Sequence, residues 1–122
     1  MERVIKFMVL LFLGMALHLP VYAQVHELSE CIKTFPIGYE KLYYLTLSAV
    51  SEYNCAIDEI QTKGGYIIFK TENKQKFLAS IVYVSASKSM LKITPCDGNY
   101  DFTQEILQKI FSYIEQYQTK NF

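Results

Sequence analysis

The stretch "NCAIDEIQTKGGYIIFK", residues 54–70, decides what kind of fold this chain makes. Upstream, Leu42, Leu45, Ala49 and Tyr53 recur at three- and four-residue steps, which predicts a helix over residues 39–53. That periodicity can be stretched to Ile60, giving one long helix. Two features favour a break instead. Asn54 suits the left-handed position that often ends a helix, and "CAIDEIQ" followed by Lys63-Gly64-Gly65 reads as a short strand and a turn. With the break accepted, the β-rich "YIIFK" becomes the second strand of a hairpin.

Working outward from that hairpin, residues 66–71 and 76–85 ("KFLASIVYVS") are β-branched and aromatic, with the polar turn 72–75 between them. Residues 86–88 turn the chain, and a fourth strand over 89–94 stops at Pro95. Short connections favour antiparallel hairpins. The last element is an amphipathic helix, with Phe102, Ile106, Leu107, Ile110, Phe111, Ile114 and Tyr117 on one stripe. Asp101 is its expected N-cap and Gln104 the capping-box partner.

The expected architecture is a two-layer α+β domain: helix, antiparallel sheet of three to four strands, helix, with both helices on one face. Strand parity assigns Ile67, Phe69, Leu78, Val82, Val84, Leu91 and Ile93 to the helix side. It assigns Tyr66, Ile68, Lys70, Phe77, Ala79, Ile81, Tyr83, Met90, Lys92 and Thr94 to the other face. That second face is more apolar than the outer face of an open sheet usually is. Tyr66, Ile68, Phe77, Ile81, Tyr83 and Met90 are therefore the candidate interaction surface. Either the lead-in residues 24–38 fold over it, or it meets a protein partner or a second copy.

The N-terminus reads as an export signal. Arg3 and Lys6 precede an apolar run from Phe7 to Leu19, and Val21-Tyr22-Ala23 supplies small residues for cleavage after Ala23. The run falls short of the roughly 20 residues a membrane span needs. The expected organisation is thus a signal peptide at 1–23, a lead-in at 24–38 and one domain at 39–122, released to the periplasm or the cell exterior. No lipid-attachment cysteine stands at the cleavage point. Cys31, Cys55 and Cys96 follow it, and in an exported protein two of them are candidates for a disulfide, with the pairing open.

Composition and motifs narrow the chemistry. Twelve Lys and Arg balance twelve Asp and Glu, and Arg3 is the only arginine, which argues against nucleic acid. A nucleophile–base pair needs a base, and past the signal the one histidine is His26. Three dispersed thiols and one histidine do not make a zinc site. Asp58 and Glu59 are adjacent in a strand and point to opposite faces. In "TPCDGNYDFTQE", residues 94–105, Asp97, Asn99 and Asp101 imitate a calcium loop, but its glycine position holds Phe102 and its glutamate position Gln108. No catalytic, cofactor or metal residue is assigned, and the chain is expected not to be an enzyme.

From Pro36 the chain also resembles a recurring bacterial envelope module. In "FPIGYEKLYYLTLSAVSEYNCAIDEIQTKGGYIIFK" a P-x-x-x-E-K-hydrophobic helix start leads into a strand, a glycine turn and a hairpin, with a closing helix after it. It is similar to the small domains of BamC-type outer-membrane assembly lipoproteins and related cell-envelope proteins, over residues 36–117. The absent anchor cysteine departs from the lipoprotein members. The resemblance implies a non-catalytic accessory or binding role in the envelope and carries over no functional residues. A protein interaction module acting through the outer sheet face is the leading expectation. A binder of a lipid or other small apolar ligand is the alternative.

Overall fold

The computed structural model describes residues 31–99, 102 and 104–120. The expected export signal, cleavage point and lead-in residues 24–30 lie outside them. The residues Cys31–Phe122 form one compact unit, so the domain begins before residue 39.

The element order is β1 (Ile32–Phe35), α1 (Tyr39–Glu52), β2 (Ala56–Gln61), β3 (Tyr66–Lys70), β4 (Lys76–Ser85), β5 (Lys88–Pro95) and α2 (Glu105–Tyr117). Five antiparallel strands lie in the order β1-β5-β4-β3-β2. This is one strand more than expected, because the end of the lead-in is itself a strand. Ile32, Thr34 and Phe35 suit a strand, and the segment pairs with β5 from Ile32↔Lys92 to Phe35↔Ser89. Residues Ile32–Phe35 therefore extend the sheet sideways and do not cover its face.

β1 and β2 form opposite edges of the sheet, and α1 connects them. Four strand gaps span about 19 Å. A helix of 14 residues is about 21 Å long, enough to cross that width. Tyr53 caps it, and Asn54 follows with φ 60°, the left-handed stop expected from its residue type. Leu42, Tyr43, Leu45, Thr46, Ala49 and Val50 are buried on α1, and Leu107, Ile110, Phe111 and Ile114 on α2. The buried hydroxyl of Thr46 donates to the Leu42 carbonyl one turn back, at 2.8 Å. The helices touch each other and share one core with Phe35, Ile67, Phe69, Phe77, Ala79, Ile81, Leu91 and Ile93.

β4 corrects the expected parity. The helix side holds Phe77, Ala79 and Ile81, and the outer face holds Leu78 and Val82. The reason is the turn. Lys70 pairs with Lys76 across residues 71–75, which sets Phe69 opposite Phe77 and Ile67 opposite Ala79. The Thr71 amide donates to the Gln75 carbonyl, and Lys74 takes φ 71° to close the loop. One residue more or less in that turn would exchange the two faces of β4.

The β2–β3 turn shows why a glycine stands at 65. Gly65 has φ +69°, and a Cβ there would lie 2.0 Å from the Tyr39 hydroxyl and 3.1 Å from the Ile81 carbonyl oxygen. The Gly65 carbonyl also accepts the Ile81 amide at 2.7 Å, so the turn cannot simply shift away. We expect Gly65→Ala to cost about 2–3 kcal/mol, from left-handed strain plus displacement of Tyr39. Chemical denaturation measures the loss. Adding Tyr39→Phe should recover part of it, and full recovery would mean that backbone strain contributes nothing.

α2 starts later than expected. Gln104 is the N-cap, with no side-chain capping bond, and the first helical residue is Glu105. Asp101 lies outside the described residues. The preceding "CDGN" forms a turn in which the Asn99 amide donates to the Asp97 carboxylate at 2.9 Å and Gly98 has φ +75°. That bond gives Asp97 a local structural role in the segment that resembled a calcium loop.

Candidate functional site

The strand registers lay out the outer face as a grid. One row runs Gln61, Tyr66, Ser80, Lys92, Ile32. The next holds Glu59, Ile68, Leu78 and Thr94. Beyond that come Ala56, Lys70 and Lys76, and on the other side Val82, Met90 and Thr34. The apolar members are Tyr66, Ile68, Leu78, Val82, Met90 and Ile32. Val82 is 43 % exposed and Ile32 37 %, while Tyr66, Ile68, Leu78 and Met90 are half-buried among their neighbours. Among the described residues, both helices lie on the opposite face.

Of the six expected surface residues, Tyr66, Ile68 and Met90 are where the sequence placed them. Phe77 (0 % exposed) and Ile81 (5 %) are core residues facing the helices, and their assignment to the outer face is corrected. Tyr83 is 64 % exposed, yet it shares the parity of Ile81 and sits at the far end of β4, past the last helix-covered residue. Leu78 and Val82 take the places given to Phe77 and Ile81. A signal for them existed in the turn length between Lys70 and Lys76.

The charges on this face are unevenly matched. Lys70 and Lys76 are directly opposite each other, a pairing that repels. Asp58, at the bulge in β2, reaches Lys76 at 3.2 Å. The Tyr66 hydroxyl donates to the Glu59 carboxylate, and that hydrogen bond, more than burial, holds the phenol pKa above its ordinary value. Both neighbouring carboxylates are thus engaged. Lys70 and Lys92 form no ion pair among the described residues.

A second concave region, about 340 Å³, lies where α1 ends and α2 begins. It is lined by Tyr53, Cys55, Glu52, Glu72, Glu105 and Lys109, among others. Lys109 is bound to Glu105 at 3.2 Å and lies 5.8 Å above the centre of the Tyr53 ring. This lining is polar and acidic, a poor match for a lipid or other apolar ligand. Burial, assisted by the Glu72 carboxylate, pushes the Cys55 thiol up, which disfavours the reactive thiolate. Burial also raises Cys96, with Asp97 and Asp58 adding to it and Lys76 opposing it.

No disulfide joins the three cysteines among the described residues, and the sheet explains why. Cys31 and Cys55 flank opposite edge strands, four strand gaps or about 19 Å apart. The Cys96 amide donates to Lys76, which pairs with Lys70, which pairs with Ala56. That leaves Cys55 three gaps, or about 14 Å, from Cys96. Cys31 sits beside Ile93, whose amide donates to its carbonyl at 2.9 Å, and Cys96 is three residues further on, about 10 Å. A bridge needs Cα atoms within about 7 Å.

Among the described residues, no group of three His, Cys, Asp or Glu side chains is placed to hold a metal, and no helix is long and apolar enough to cross a membrane. Among the described residues the buried Tyr43 hydroxyl has no hydrogen-bond partner, but Tyr43 does not line the cleft described above. No protein-family model matches this chain, and no curated protein matches it by sequence.

Proposed function

We propose that this protein is a small exported cell-envelope component that acts without catalysis, as a protein interaction or accessory module, through the outer face of its sheet. One observation carries the proposal: Tyr66, Ile68, Leu78, Val82, Met90 and Ile32 share an outer sheet face, with Ser80 and Lys92 among them, that no described element covers. Apolar patches of this kind are favoured at contact sites. The export address rests on the sequence pattern of residues 1–23, and the pattern resemblance to BamC-type envelope domains supports the same location and role.

The test is a comparison of wild type with Leu78→Lys. Leu78 is half-buried at the middle of the face and outside the core. Partner capture from envelope extracts should fall by at least about tenfold, the equivalent of 1.4 kcal/mol, while far-UV circular dichroism stays unchanged. Undiminished capture of the same partner by the variant would rule this face out.

A further inference from the structure

Resting on that reading, we infer that the occupant of the outer face is an acidic amphipathic helix supplied by a partner protein. Two lysines on this face, Lys70 and Lys92, form no ion pair among the described residues. Lys70 lies on β3, in the row of Lys76, and Lys92 lies on β5, in the row of Ser80. They are two strands apart, about 10 Å, and two grid rows apart, about 13 Å, so a diagonal of about 16 Å joins them. Leu78 stands at the midpoint of that diagonal, with Ile68 and Thr94 beside it in its own row.

A helix rises 1.5 Å per residue, so about 11 residues, or three turns, cover the same distance and return to the same side of the helix. Glutamates spaced in this way reach Lys70 and Lys92, an apolar stripe between them meets Ile68 and Leu78, and its continuation past Lys92 meets Val82 and Met90. The helix would form a third layer on the sheet, opposite α1 and α2.

The distribution of carboxylates separates this occupant from two others. Asp58 and Glu59 lie on the β2 edge, Glu72 in the β3–β4 turn, and Asp97 just past β5. A flat anionic membrane would press on that acidic periphery as well as on the lysines. A narrow helix along the diagonal meets the lysines and leaves the periphery in water. A second copy laid face to face brings a second set of the same lysines onto this surface, while its nearby carboxylates, Glu59 and Asp58, are already engaged by Tyr66 and Lys76.

The experiment uses the purified protein and three probes. One is an 18-residue Leu/Glu peptide with leucine at helical a, d and e spacing. The second is a Leu/Lys peptide with the same leucines. The third is a set of phosphatidylglycerol–phosphatidylcholine vesicles. Amide chemical-shift mapping should show the Leu/Glu peptide moving Ile68, Leu78, Val82 and Met90, more weakly as salt is raised. Lys70→Glu with Lys92→Glu should lower its affinity by at least about tenfold and transfer the preference to the Leu/Lys peptide. Both lysines sit on the surface of the sheet, so the doubly changed protein should keep its thermal midpoint. Equal binding of the two peptides overturns the inference. Vesicle binding or self-association through these residues, without Leu/Glu binding, also overturns it but leaves the face reading standing. No response of the face to any probe overturns both.

Discussion

Ile81→Lys is expected to abolish cooperative folding or to cost at least about 4 kcal/mol, while Val82→Lys changes stability by no more than about 0.5 kcal/mol. The two residues are neighbours on β4 and receive the same new side chain, so only the direction they face differs. Ile81 is 5 % exposed, sits opposite Leu91 in the register, and belongs to the core that both helices share. Replacing it removes a buried aliphatic side chain, worth about 2–4 kcal/mol. It also places an ammonium group in apolar surroundings, where an unpaired charge costs several kcal/mol more. A domain of this size holds only about 5–15 kcal/mol in total. Val82 is 43 % exposed on the other face, where a lysine head group remains in water. Urea unfolding of both variants measures the contrast. A reversed order, with Val82→Lys the more damaging, would mean that β4 is paired one residue out of register.

How much of this was legible in the sequence depended on whether a feature was local. The stop of α1 is a local event: helical periodicity runs out and Asn54 supplies the left-handed residue. The span of β4 was legible because Lys76 to Ser85 is bounded by polar turns on both sides. β1 was not legible, because four residues cannot establish an alternation, and its partner β5 lies more than fifty residues away. Pro36 and Gly38 connect β1 to α1. Gly38 is there for space, since a Cβ would come 2.8 Å from the Ala86 carbonyl oxygen.

The placement of Phe77 and Ile81 on the outer face failed on the same physical ground. "KFLASIVYVS" offers apolar residues at both parities, so alternation could not choose between Phe77, Ala79, Ile81 and Leu78, Val82. Neighbouring strands make the choice, through the five-residue turn and the Lys70↔Lys76 pair. β3 and β5 were assigned correctly, which is why Tyr66, Ile68 and Met90 kept their places. The idea of an apolar outer face therefore remains, with Leu78 and Val82 in it. The cysteines illustrate the same limit, because spacing along the chain says nothing about strand order or register: strand order keeps Cys55 from the other two, and register offsets Cys31 from Cys96 on neighbouring strands.

Phe77→Ala should cost about 3–5 kcal/mol, the range for deleting a fully buried aromatic side chain. Phe77 is 0 % exposed. Its ring stacks on Phe69 at 5.6 Å between centroids and meets Phe102 edge-on at 5.1 Å. Phe69 belongs to the adjacent strand, but Phe102 precedes α2, so Phe77 also ties the approach of the closing helix to the sheet. A double-mutant cycle with Phe102→Ala should then show coupling of about 0.5–1.5 kcal/mol beyond area burial. Phe77→Leu keeps most of the volume and should lose less than about 2 kcal/mol. Leu78→Ala is the control on the next residue: it faces outward, is only half-buried, and should cost clearly less than Phe77→Ala. If Leu78→Ala proved as damaging, something in the folded protein would already cover the outer face, and the surface proposed for a partner would be core.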